Sequence, residues 1–134
     1  MSIYVDSSAL LKHYLSEPDR SQYEEILNRD PDWVMARHTD VEVRRNLARH
    51  LMTEDFVRIR KDFEADWWLS SIVELDEGVC DRASEIAETT GARTLDALHL
   101  AAADLFGGGD LAFVTADGRQ GRIARSLGWI VLGA

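Results

Sequence analysis

Short apolar runs alternate with longer stretches whose apolar residues recur every three or four positions along most of this 134-residue chain. The short runs predict strands at Ile3 to Val5, Trp33 to Ala36, Ile72 to Leu75, Leu111 to Thr115 and Trp129 to Leu132. Between them the pattern predicts helices over Ser7 to Leu15, halted near Pro18, and over Asp19 to Asn28. Thr39 to Met52 follows, with Val41, Leu47, Ala48, Leu51 and Met52 on its apolar side. Glu54 to Leu69 carries Phe56, Ile59, Phe63 and Trp67 at helical spacing. Later helices are expected over Gly78 to Thr90, Asp96 to Phe106 and Gln120 to Leu127, the first two stopped by Gly91 and by Gly107-Gly108-Gly109. Short apolar strands alternating with helices imply an α/β fold: about five mostly parallel strands covered on both faces, in a single domain spanning 1–134. In such sheets ligands bind beyond the carboxyl ends of the strands, where the strand order reverses. Asp6 and Asp117 fall at or just past two such ends.

Composition narrows the function classes. The lone cysteine, Cys80, is expected to be an inert core thiol, and nothing points to an oxidising compartment. No run approaches the ~18 apolar residues of a membrane span, and the first residues carry no signal-like pattern, so a cytoplasmic location is expected. A net charge of −9 argues against a non-specific nucleic-acid coat, which needs surplus cations. It does not exclude a nuclease whose acids gather in one metal site. Among the 15 cationic residues only Lys12 and Lys61 are lysines. Arginine forks suit a few positioned phosphate contacts.

Four carboxylates stand out: Asp6, Glu42, Asp96 and Asp117. Each also has a purely structural reading. Asp6 and Asp117 can cap helices, as can Asp96. Thr39-Asp40-Val41-Glu42 has the form of a capping box, and a helical wheel sets Glu42 near Arg45 and Arg49, where an exposed ion pair would suffice. Their joint placement favours chemistry. Clustered carboxylates repel one another unless a cation neutralises them, and an all-oxygen donor set favours Mg²⁺ or Mn²⁺ over zinc. Such a site makes phosphodiester hydrolysis coherent.

The segment from Ile3 through Asp6-Ser7-Ser8 to Lys12 resembles the opening of PIN domains, especially VapC-type toxins. Glu42 within a helix, Thr94-Leu95-Asp96-Ala97-Leu98-His99, and Val114-Thr115-Ala116-Asp117-Gly118-Arg119 follow in that family's order and spacing. The resemblance covers essentially the whole chain. It implies a metal-dependent endoribonuclease, the toxin of a type II toxin–antitoxin pair, with Asp6, Glu42, Asp96 and Asp117 as the catalytic, metal-binding set. Ser7 or Thr115 would be a supporting polar group. The implied partners are an RNA substrate, a VapB-type antitoxin and a second copy in a homodimer, with no membrane. Arg37-His38-Thr39-Asp40 departs from the apolar lead-in that the family often has before its glutamate, and Asp40 offers a second acid there.

Rival readings are a receiver-like phosphoacceptor domain, an aspartate-nucleophile phosphatase and a non-catalytic PIN-like binding module. The first needs a late lysine, absent after Lys61; the second usually has Asp-x-Asp where this chain has Asp6-Ser7-Ser8. His99 reads as a structural histidine in a packed helix or as a residue lining the site. Trp67 and Trp68 read as core or as interface aromatics. The helix bearing Phe56, Ile59, Phe63 and Trp67 is a candidate receiving surface for an antitoxin arm. Arg93 and Arg119 are candidates to steer phosphate.

Overall fold

All five strands of the computed structural model, which describes residues 2–134, run parallel in the order β3-β2-β1-β4-β5. The strands are β1 (Ser2–Val5), β2 (Asp32–Ala36), β3 (Ser71–Val73), β4 (Ala112–Thr115) and β5 (Val131–Gly133). Seven helices join them: α1 (Ser7–Tyr14), α2 (Arg20–Asn28), α3 (Arg37–His50), α4 (Thr53–Leu69), α5 (Glu77–Thr90), α6 (Thr94–Gly107) and α7 (Gly118–Ser126). The expected α/β architecture is therefore present. The chain lays β1, β2 and β3 outward in one direction and then places β4 on the other flank of β1. The switch in strand order thus falls between β1 and β4, whose carboxyl ends lead into Asp6 and Asp117.

Alternation along the central strands divides the core into two layers. Ile3 and Val5 of β1 join Met35, Leu47, Phe63 and Val114 beneath α1 to α4. Tyr4 points to the opposite face, with Val34, Phe113, Leu100 and the Ala101-Ala102-Ala103 run of α6. The small alanines let α6 lie close to the sheet, which brings its first turn to the β1 edge. Helix α5 ends where Gly91 adopts φ +75°, a left-handed conformation that favours glycine. Gly133 sits at φ +100° opposite Thr115, and a Cβ there would stand 2.4 Å from the Thr115 carbonyl oxygen.

Several local expectations are corrected. Helix α3 begins at Arg37 rather than Thr39 because β2 runs straight into it, and α6 begins at Thr94 rather than Asp96. The buried face of α3 holds His38, Thr39, Val43 and Leu47, whereas Val41, Ala48 and Met52 face solvent. Phe56, Ile59, Phe63 and Trp67 do share one face, and it packs against the core: Phe63 is buried and the other three are half-buried. Trp68 and Leu69 are exposed instead. Trp129 is a core residue preceding β5, and Cys80 is exposed on α5. Among the described residues no helix is long and apolar enough to cross a membrane.

Candidate active site

Asp6 is the hub of the carboxyl edge. Its backbone N–H still donates to the Val114 carbonyl at 3.0 Å, continuing the β1–β4 ladder by one residue. Its Oδ1 caps α1, accepting from the Ala9 amide at 3.2 Å and from the Ser8 hydroxyl at 2.6 Å. Its Oδ2 accepts from the Thr115 hydroxyl at 2.6 Å. The residue is only 3% exposed, and burial raises its carboxyl above the ordinary value despite His99, Ser8, Thr115 and Ala9, which all favour the charged form.

Asp117 follows the same plan at the end of β4. Its Oδ1 caps α7 by accepting from the Arg119 and Gln120 amides at 2.9 and 3.3 Å. Its own amide donates to Thr115 Oγ1 at 3.1 Å, so one hydroxyl joins both aspartates. The second oxygen, Oδ2, lies 3.6 Å from Arg93 Nη2, while Arg93 Nε lies 3.3 Å from Asp96 Oδ2. Arg93, the residue immediately before α6, thus bridges Asp96 and Asp117. The Gln120 side-chain Nε2 donates to the Asp96 backbone carbonyl at 3.0 Å, tying the start of α7 to the start of α6. For Asp6 and Asp117, then, capping uses one oxygen and leaves the other to the site.

Glu42 is held differently from either local reading. The N-cap of α3 is Ala36 with no side-chain cap, so the Thr39–Glu42 capping box does not form. Nor does any ion pair among the described residues join Glu42 to Arg45 or Arg49. Its Oε1 instead meets His99 Nε2 at 2.6 Å and His38 Nε2 at 3.8 Å. Burial pushes the Glu42 carboxyl up, but the His99 hydrogen bond and the neighbouring charges outweigh it and hold the group below its ordinary value. His38 is pushed down to about 4, first by burial and then by His99. Asp40, the alternative acid, is paired with Arg44 on its own helix at 3.8 Å.

His99 is a buried residue in a packed helix and also touches the site. It sits three residues after Asp96, on the same side of α6, with Nδ1 2.7 Å from the Tyr4 hydroxyl oxygen. Tyr4 and His38 were not legible as site residues, although His38 lies four residues before Glu42, the spacing of helical neighbours. Among the described residues, His38, Glu42 and His99 form the group of three whose ligand-capable atoms all lie within 4.8 Å of one another. The aspartates are more widely spread, with Arg93 between two of them.

The PIN domain family model matches residues 3–126. The chain belongs to the PIN domain family. Solved PIN-like structures agree in fold. FitAcB from Neisseria gonorrhoeae superposes with a TM-score of 0.77 at 19% identity, covering 99% of this chain and 97% of that one. VapC20 of Mycobacterium tuberculosis, described as a sarcin-ricin loop cleaving toxin, gives 0.75 at 14% identity over 96% of each chain. A toxin-antitoxin complex from Klebsiella pneumoniae gives 0.67 at 16% identity over 86% of each chain. At such identities these likenesses show a shared fold. No curated protein sequence matches the chain. Within this PIN domain, Asp6 and Asp117 follow the two strands at the switch, Arg93 bridges Asp117 and Asp96, and His99 ties Glu42 to α6.

Proposed function

We propose that this PIN domain is a divalent-metal-dependent endoribonuclease acting as the toxin of a type II toxin–antitoxin pair. The observation that carries the reading is the linked acidic edge. A buried Asp6 is joined to Asp117 through Thr115, and Asp117 to Asp96 through Arg93. Glu42 is turned toward α6 by His99. Asp6, Asp96, Asp117 and Glu42 are the proposed metal ligands, and all offer oxygen. That donor set fits Mg²⁺ or Mn²⁺. The fit is also electrostatic, because burial already raises the Asp6 carboxyl and, among the described residues, only Arg93 pairs with both Asp96 and Asp117.

A bound divalent cation supplies an acidified water and neutralises charge on the phosphodiester. The protein's own groups do the rest. Thr115 and Ser8 hold both Asp6 oxygens in place, so the carboxylate does not reorganise during the reaction. Arg93, 64% exposed at its side chain, is free to leave its carboxylates and take a phosphate oxygen, while Arg119 puts its backbone amide on Asp117 and its guanidinium on the Gly91 carbonyl. Single-stranded or looped RNA is the proposed substrate, since the scissile phosphate must reach a half-exposed edge. The proposed cellular setting is the cytoplasm, with a homodimer restrained by a VapB-type antitoxin whose arginine occupies the acidic edge. Exposed Trp68 and Leu69 are available to such contacts.

Incubating the purified protein with a mixed RNA pool in Mg²⁺, in Mn²⁺ and in EDTA tests the reading. Cleavage is expected with either metal and not in EDTA, and it is expected to vanish in Asp6→Asn. EDTA-resistant cleavage, or full activity of Asp6→Asn, overturns it.

A further inference from the structure

We infer that Tyr4 and His99 form a hydrogen-bonded relay that sets the direction of the Glu42 carboxylate at the acidic edge. The inference rests on the reading of Glu42 as a site acid and deepens it: His99 and Tyr4 are positioning residues, acting through Glu42.

The donor chemistry orders the relay. Glu42 Oε1, as a carboxylate oxygen, only accepts, so the 2.6 Å contact requires a proton on His99 Nε2. The other nitrogen, Nδ1, lies 2.7 Å from the Tyr4 hydroxyl, which donates to a bare Nδ1 and accepts from a protonated one. In either case Tyr4 holds one edge of the ring while His99 Nε2–H donates to Glu42. Both ring nitrogens are satisfied, as a histidine that is 1% exposed demands. A residue that only filled space here would serve better as leucine or phenylalanine, because a buried polar ring is costly without partners.

The relay also joins the elements that carry the site. Tyr4 lies on β1 two residues before Asp6, His99 on α6 three residues after Asp96, and Glu42 on α3. His38 packs against His99, with ring centroids 4.1 Å apart and the planes tilted by 39°, and restrains rotation of the ring. The His38–Glu42–His99 trio is a hydrogen-bonded cluster rather than a second metal cage. His38 Nε2 lies 3.2 Å from the Leu95 carbonyl and donates to it, which removes that nitrogen as a ligand. His38 Nδ1 is buried with no partner, as suits a bare lone pair better than an orphaned N–H.

The test is calorimetric titration of the full chain with Mn²⁺ alone, so that choice of RNA does not enter the readout. The variants are Glu42→Gln, His99→Leu, His99→Gln, Tyr4→Phe and the double variant Glu42→Gln/His99→Leu. Partners that orient metal ligands are worth roughly 10–100-fold in affinity, so His99→Leu is expected to weaken Mn²⁺ binding by about that factor. His99→Gln, which keeps a donor, should recover part of the loss. Tyr4→Phe keeps the ring and the fold and should weaken binding several-fold, and it decides the matter if His99→Leu does not fold. The double variant should bind no more weakly than Glu42→Gln alone, because the histidine acts through that carboxylate. If Glu42→Gln weakens binding while His99→Leu and Tyr4→Phe do not, the relay is overturned and Glu42 stays in the site. Additive losses in the double variant overturn it too. If Glu42→Gln binds Mn²⁺ as the wild type does, both the relay and the Glu42 assignment fall.

Discussion

The Thr115 hydroxyl donates to Asp6 Oδ2 at 2.6 Å, across the β1–β4 boundary where the strand order reverses. The same oxygen accepts from the Asp117 amide at 3.1 Å, so this one contact sets two site acids relative to each other. Thr115 is fully buried. Replacing it with isosteric valine leaves a buried carboxylate oxygen without its donor, a loss of about 1–3 kcal/mol in stability. Thr115→Val is expected to lower the melting temperature and cut RNA cleavage at least tenfold, while Thr115→Ser keeps most of both. Equal behaviour of the two variants, by thermal melting and cleavage rate, would show that the hydroxyl is idle.

Burial raises the Asp6 carboxyl above its unfolded value, so the folded state binds a proton there more tightly than the unfolded chain does. Its contribution is then fully present below the unfolded value near 4, and it is lost as pH rises through the raised folded value. Glu42 has the opposite sign. Its lowered carboxyl contributes above the unfolded value and loses that contribution as pH falls. Comparing wild type with Asp6→Asn in EDTA isolates the first group. The variant's advantage in melting temperature should grow from pH 4 to pH 8. An advantage that is flat with pH, or reversed, contradicts a buried and disfavoured Asp6 charge.

Metal binding to the folded state alone stabilises it by mass action, about 2.7 kcal/mol at a free concentration 100 times Kd. Mn²⁺ should therefore raise the wild-type melting temperature and scarcely move that of Asp96→Asn/Asp117→Asn. Arg93→Gln removes the cation bridging those two acids and should tighten Mn²⁺ binding a few-fold while slowing cleavage. Its effect on metal-free stability should stay within about 1 kcal/mol, because the side chain is 64% exposed. A weaker Mn²⁺ affinity in Arg93→Gln would mean the arginine organises the acids rather than competing for them.

The toxin role predicts a cellular phenotype. Expression of the chain alone should arrest growth, and co-expression with the adjacent antitoxin-like gene should restore it through a complex that co-purifies. Asp6→Asn should be harmless yet still form the complex. Harmless wild-type expression alongside Mn²⁺-dependent cleavage in vitro would remove the toxin role and leave the nuclease.

Periodicity alone was enough to read the α/β architecture. A strand buried on both faces must be a short apolar run, and a helix on such a sheet must repeat its apolar positions every three or four residues. The placement of Asp6 and Asp117 was readable for a related reason. An acid that directly follows a buried strand must stand at the sheet's edge, and a parallel sheet collects those edges on one side. Glu42 was different. Local pattern knows only its own helix, so a helical wheel offered Arg45 and Arg49 as neighbours and the capping-box pattern offered Thr39. The partner that holds it is His99, 57 residues away. Tertiary packing alone decided that pairing, as it decided that Val41 and Met52 face solvent while His38 and Thr39 are buried. Local sequence determines which side chains lie on one face of an element. Which face turns inward, and which distant polar group meets a buried carboxylate there, is set when helices close over the sheet and every buried charge must find a partner.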